Sequence, residues 1–224
     1  MHLIIAIDGP AGSGKTTTAK ESAKRLGIIY LDTGAMYRAT ALYVLSKSVD
    51  IEDEESIKQI LSEIDIYFKN EDGERRIILN GKDVSQNIRN EEISQAASKI
   101  STLKSVRDFL VSQQRKIGEN DSIVAEGRDI GTVVFPKAVL KFFMQCSVEQ
   151  RAKRRTDEYA EKNIEISYEE IKKQIEERDL RDSSRAHAPL KMAEDAILID
   201  TTNMSKEEQI QFVVRKAKET QAIL

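Results

Sequence analysis

Leu3-Ile4-Ile5-Ala6-Ile7-Asp8, followed by Gly9-Pro10-Ala11-Gly12-Ser13-Gly14-Lys15-Thr16-Thr17, is the stretch whose reading decides the fold. The apolar run is continuous rather than alternating, as a strand buried on both faces of a parallel sheet should be. Residues 14–26 then read as a helix, with Ala19, Ala23 and Leu26 inward and Gly27 as its stop. Between strand and helix, Gly9 to Thr16 matches G-x-x-x-x-G-K-[ST] in the context that motif requires. Glycines let successive backbone N–H groups turn toward an anion, and the helix adds its positive N-terminal end. Lys15 can then reach β and γ phosphates, and Thr16 can offer its hydroxyl to Mg²⁺. The loop therefore predicts a bound nucleoside triphosphate, held by Gly9, Pro10, Ala11, Gly12, Ser13, Gly14, Lys15, Thr16 and Thr17. It does not say what receives a phosphate, or whether the chain is a kinase, a GTPase switch or a motor.

Outward from this loop, further buried-strand patterns fall at Ile28–Leu31, Ile123–Ala125, Val139–Met144 and Ala196–Ile199. Helical patterns lie between them, near 35–46, 91–117, 148–161, 167–182 and 205–221. The last two open with Ser167…Glu170 and Ser205…Glu208, both at capping-box spacing. Strands separated by helices predict an α/β fold, a parallel five-stranded sheet flanked by helices. Residues 64–84 break that rhythm: two short apolar runs are separated by Asn70-Glu71-Asp72-Gly73 and followed by Asn80-Gly81. Asp-Gly and Asn-Gly are hairpin turns, so this stretch predicts a small antiparallel β insert outside the main sheet.

Composition bounds the function classes. With 224 residues and 40% hydrophobic side chains, the chain suits one domain with a sizeable core. Lys and Arg number 35 against 38 Asp and Glu, a net charge of −3, which argues against holding a nucleic acid polymer by bulk charge. No apolar run approaches the roughly 18 residues of a membrane span. The single cysteine, Cys146, excludes an internal disulfide framework and fits a reducing cytoplasm. His2 and His187 read as surface residues, and no His/Cys spacing suggests a transition-metal site.

Two more post-strand turns carry the same kind of chemistry as the first. Asp32-Thr33-Gly34-Ala35-Met36-Tyr37-Arg38 follows the second strand, and Glu126-Gly127-Arg128-Asp129-Ile130-Gly131-Thr132 follows Ile123–Ala125. Ligands of parallel sheets bind at carboxyl ends of strands, so these turns should face the crevice of the first loop. Arg178-Asp179-Leu180-Arg181-Asp182-Ser183-Ser184-Arg185 adds a fourth element. If helical throughout, it sets Arg178, Asp182 and Arg185 on one face, although a solvated charged helix end has the same composition. Arg38, Arg128, Arg178 and Arg185 make a set suited to gripping a second phosphate, since the guanidinium fork binds oxyanions bidentately. Arg151, Arg154 and Arg155 read either as part of a lid over a triphosphate, spanning 151–165, or as an exposed basic helix face.

These residues resemble the bacterial cytidylate kinases, within the nucleoside monophosphate kinases. The resemblance runs from Ile7-Asp8-Gly9-Pro10 to Asp200-Thr201-Thr202. Its most specific marks are Asp32–Arg38, Gly127-Arg128-Asp129-Ile130-Gly131-Thr132-Val133-Val134-Phe135-Pro136, and Glu177-Arg178-Asp179 through Arg185-Ala186. It implies a single kinase domain over 1–224, with a monophosphate-binding region at 33–100 that contains the β insert. It implies in-line transfer of the γ-phosphoryl group of ATP, with Mg²⁺, to CMP or dCMP; a kinase for UMP or AMP is the alternative. Composition leads us to expect a cytoplasmic chain, and we expect a monomer. Lys15, Arg128, Arg178 and Arg185 would be catalytic, and Arg151, Arg154 and Arg155 would join the loop in binding ATP. Arg38, Arg128, Arg178 and Arg185 would hold the acceptor phosphate beside Asp32 and Thr33. Ser98, Arg107 and Asp129 would read the cytosine edge, and Asp182 would take the sugar hydroxyl. Taken without the family, Ser98 reads as a helix-surface serine and Arg107 as a solvated residue of one long helix. Glu126 stands where some relatives carry Asp.

Overall fold

The computed structural model describes residues 2–71, 74–161 and 163–222. In chain order, β1 (Ile4–Asp8), α1 (Lys15–Leu26), β2 (Ile29–Asp32), α2 (Thr33–Ser46) and α3 (Glu54–Ile60) come first. Next are β3 (Ile66–Glu71), β4 (Glu74–Leu79), β5 (Lys82–Asp83), α4 (Glu91–Ile100), α5 (Lys104–Asn120) and β6 (Ile123–Gly127). After them follow β7 (Leu140–Gln145), α6 (Val148–Glu161), α7 (Tyr168–Ser184), β8 (Ile197–Asp200) and α8 (Lys206–Gln221). The chain forms two compact units, Met1–Leu31 with Arg115–Leu224, and Asp32–Gln114. The second unit contains the expected region 33–100 and extends beyond it.

In the first unit the sheet order is β2-β6-β1-β7-β8, which puts the strand before the glycine loop at the centre. β1 pairs in parallel with β6 and with β7, matching Ile5 to Val124 and to Leu140, and β7 pairs in parallel with β8. The continuous apolar run earns that position because Ile5, Ala6 and Ile7 have no solvent exposure. Ile5 and Ile7 pack with Ala19 and Ala23 of α1, Phe142 and Met144 of β7, and Val213 of α8. The Phe142 and Phe212 rings meet edge to face at 6.2 Å. α1 ends at Gly27 in the left-handed conformation, its N–H returning to the Ala23 and Lys24 carbonyls. A satellite core of Ala152, Ile171 and Ile175 joins α6 to α7. The segment expected as a lid, 151–165, is most of α6 and the turn after it, with residue 162 outside the described residues.

The second unit holds the expected antiparallel insert, a three-stranded sheet of order β3-β4-β5. Asn80 and Gly81 connect β4 to β5 with φ of 47° and 79°, the left-handed pair that a two-residue hairpin loop requires. Asp72 and Gly73 of the other expected turn lie outside the described residues. α2 packs against α4 and β4 within this unit.

Three sequence expectations are corrected. The helix expected over 91–117 is two helices, because Ser101 and Thr102 turn their hydroxyls back onto the Ser98 and Lys99 carbonyls and end α4. Arg185 lies beyond α7 with ψ of 141°, so the one-face alignment of Arg178, Asp182 and Arg185 does not extend to Arg185. α3 was not expected; its seven residues are too few to show an apolar period, and only Asp53, accepting the Ser56 N–H, marks its start.

Gly9 has no room for a side chain. A Cβ there would stand 2.2 Å from the Met144 carbonyl oxygen, inside the neighbouring strand. Gly9→Ala should therefore lower unfolding stability by about 2 kcal/mol or more, read from the denaturant midpoint. An unchanged midpoint would contradict this packing.

Candidate active site

The loop after β1 is held through three of its carbonyl groups. Lys15 Nζ donates to the Pro10 carbonyl at 2.8 Å, Thr201 Oγ1 to the Ser13 carbonyl at 2.8 Å, and Arg151 to the Ala11 carbonyl at 3.2 Å. Gly14 takes φ of 95° as the residue before α1, and a Cβ there would meet Gln209 Oε1 at 2.7 Å. Arg151 is buried, 3% exposed, which removes the exposed-face reading for it. Its guanidinium grips both Asp179 oxygens at 3.0 and 2.6 Å, and Nε donates to the Cys146 carbonyl. Such a fully paired buried arginine is a strut between α6, α7 and the loop. Arg154 and Arg155 are half-buried; Arg154 donates to the Thr201 carbonyl, and Arg155 lies on the Tyr159 ring.

The ends of β1 and β6 carry two buried carboxylates. Asp8 accepts N–H groups from Ile130 and Gly131 at 2.8 and 2.7 Å, which fixes the single π-helical turn Ile130–Val134 behind Asp129. Burial pushes the Asp8 carboxyl up to about 7, against those two hydrogen bonds. Glu126 takes the Thr16 hydroxyl on Oε2 at 3.0 Å and the Tyr30 hydroxyl on Oε1 at 2.5 Å.

Around Lys15 the first unit gathers a set of cations. Burial lowers the Lys15 pKa to about 7; Arg128 and Arg178 push it the same way, while Glu126 and Asp182 oppose them. Arg128 Nε contacts Asp182 Oδ2 at 2.7 Å. Burial works against both charges of that pair. Arg128, Arg178 and Arg185 nonetheless hold the Asp182 carboxyl below its usual range, and Asp182, Glu126 and Asp179 hold Arg128 above its own. Arg185 stands 3.5 Å from Asp129, both side chains buried, and its Nε donates to the Ala188 carbonyl. Lys15 of the glycine loop, Arg128, and Arg178 of α7 therefore share one electrostatic neighbourhood. Its cations destabilise one another, a strain that a polyanion would relieve.

The second unit carries the remaining predicted residues within its own fold. Asp32 caps α2, accepting the Ala35 N–H at 2.8 Å on one oxygen and pairing with Arg38 at 3.0 Å on the other. Thr33 is buried at the first position of α2. Ser98 and Arg107 are each 4% exposed, so neither is the surface residue that composition alone suggested. Arg107 lies 6.0 Å from the Tyr37 ring centroid and reaches the Ser101 carbonyl at 3.5 Å.

Residues 5–219 match the family model described as cytidylate kinase. The chain belongs to the cytidylate kinase family. A cytidylate kinase of Fervidobacterium nodosum is 52% identical over 219 residues, covering 98% of each chain. Another, of Fusobacterium nucleatum subsp. nucleatum, is 46% identical over 215 residues, covering 96% of this chain and 97% of its own. A crystal structure of an uncharacterized protein from Eubacterium ventriosum, 13% identical, superposes with a TM-score of 0.53 over 97% of this chain and 99% of that one. At that identity the likeness speaks for the fold alone.

Asp8, Tyr30, Asp179 and Thr201 were not singled out from the sequence of this family member. Asp8 directly precedes the glycine loop and Asp179 stands beside Arg178, but neither was given a role; Tyr30, Asp179 and Thr201 meet their partners across 28 to 188 residues of chain. The depressed Lys15 pKa makes a proton count testable. ATP phosphates should restore the lysine's charge, so at about pH 8 binding should take up a fraction of a proton, and affinity should fall as pH rises above about 7. Calorimetry in two buffers of different ionisation enthalpy measures the uptake. Lys15→Met should abolish it, and identical uptake in both proteins would refute the assignment.

Proposed function

We infer that the chain moves the γ-phosphoryl group of ATP to CMP or dCMP in one direct in-line step. Membership of the cytidylate kinase family over residues 5–219 supports the activity and makes UMP or AMP the weaker acceptors. The observation that carries the mechanism is the electrostatic coupling of Lys15 to Arg128 and Arg178. Phosphoryl transfer needs little covalent help; it needs two polyanions aligned, with cations spread over the charge that they bring together. In this reading Gly9 to Thr17 wrap the triphosphate and Lys15 sits at the transferring group. Arg128, Arg178 and Arg185 neutralise the acceptor phosphate. Asp182, which pairs with Arg128 in the structure, takes the sugar hydroxyl. Asp129 accepts from the exocyclic amine of cytosine, with Arg185 3.5 Å from its carboxylate.

In the second unit we assign Asp32, Thr33 and Arg38 to the acceptor phosphate, and Ser98 and Arg107 to the base. A buried Arg107 can donate to the ring N3 and O2 acceptors of cytosine, which an adenine edge does not offer in that arrangement. Arg151 acts by bracing the loop that holds ATP, and Arg154 and Arg155 extend the basic surface of α6 toward the triphosphate.

Magnesium fits the oxygens present. The Thr16 hydroxyl and Glu126 carboxylate, 3.0 Å apart, are hard donors of the kind Mg²⁺ takes alongside substrate phosphates. Bound there, Mg²⁺ would neutralise charge on the β and γ phosphates. No helix among the described residues is long and apolar enough to cross a membrane. We place the activity in the cytoplasm, in a monomer, where the buried Cys146 thiol suits a reducing milieu.

A coupled assay across monophosphates tests the base assignment: kcat/KM for CMP and dCMP should exceed that for UMP and AMP by at least about tenfold. Faster turnover of AMP would overturn it. Arg178→Ala should lower kcat/KM for CMP by about a hundredfold while the Kd for ATP changes little. A collapse of ATP affinity instead would remove Arg178 from the acceptor side.

A further inference from the structure

We propose that Tyr30 is a positioning residue for the magnesium-bearing end of the site, acting through Glu126. This inference rests on the reading above, in which Thr16 and Glu126 hold Mg²⁺. Glu126 is the second-last residue of β6 and is itself 4% exposed, yet its carboxylate sits on an arm one methylene longer than an aspartate's. A longer arm has one more rotatable bond to fix, and an unfixed carboxylate cannot present a set oxygen to a cation.

The structure fixes it at both oxygens. Thr16, at the second position of α1, donates to Oε2, and Tyr30, on β2, donates to Oε1. β2 lies next to β6 in the sheet, so the Tyr30 hydroxyl approaches from the adjacent strand. The Tyr30 ring packs against the main hydrophobic core, alongside Leu26 and Ile28. Only two side-chain torsions separate that anchored ring from its backbone. Its hydroxyl is therefore delivered at a set place, and the carboxylate is oriented by a rigid donor instead of a second flexible arm. A partner of this kind acts on a metal site by orienting the group that touches the metal, and losing one typically weakens metal binding by about 10- to 100-fold.

Tyr30→Phe keeps the ring and removes only the hydroxyl. Calorimetric ATP binding without CMP, once with Mg²⁺ and once with EDTA, separates the effects. The variant should bind Mg²⁺-ATP about tenfold more weakly than the parent and bind ATP in EDTA equally well, with its thermal midpoint retained. Added to Glu126→Gln, the same change should have no further effect, because the carboxylate it orients is gone. Equal weakening in both media, or a lowered midpoint with binding reduced throughout, would mark a merely structural tyrosine and overturn the proposal. So would unchanged Mg²⁺-ATP binding, or an undiminished effect in the Glu126→Gln background. If the parent itself binds ATP no better with Mg²⁺ than in EDTA, the magnesium reading of Thr16 and Glu126 falls, and the role of Tyr30 falls with it.

Discussion

A lysine buried at 5% exposure beside two arginines is held there against electrostatics, and the first unit is organised around that placement. Like charges so placed are tolerable only with carboxylates among them, and Asp182 and Glu126 supply that compensation. Asp179 adds to that compensation at Arg128, and Lys15 in turn favours the charged form of Asp8.

Such a cluster requires a rigid frame, because a cation that can swing into water relieves its own strain and loses its pull. The frame is built from residues that never need to touch a substrate. Arg151 joins α6, α7 and the glycine loop through Asp179, Cys146 and Ala11. Asp8 ties the end of the central strand to the turn that carries Asp129. Lys141, buried on β7, pairs with Asp195 and with the Pro136 carbonyl, closing the other end of that turn segment. Each is a buried charge given several partners, the arrangement in which burial adds precision without leaving a charge unpaired.

The sequence disclosed much of this molecule because its informative features are local. A strand buried on both faces has an unbroken apolar run, a phosphate loop has its glycines and lysine in eight consecutive positions, and Asn80-Gly81 selects its own turn. Helix boundaries at Ser167 and Ser205 were equally legible, because a capping side chain acts over three residues. Local signals also misled where two short-range rules compete. Apolar spacing carried one helix across 91–117, whereas Ser101 and Thr102 bond to the preceding turn and end α4.

What the chain alone determined is which residues are chemically able to hold phosphates: their types and spacing express backbone geometry and charge, and neither needs a distant partner. Only the tertiary structure decided their states and supports. It shows Ser98 and Arg107 buried and makes Arg151 a strut. It also depresses Lys15 and clasps Glu126 between Thr16 and Tyr30. Burial and Coulomb energy depend on separation in space, and residues 28, 96 or 110 positions apart along the chain carry no mark of that separation until the fold brings them together.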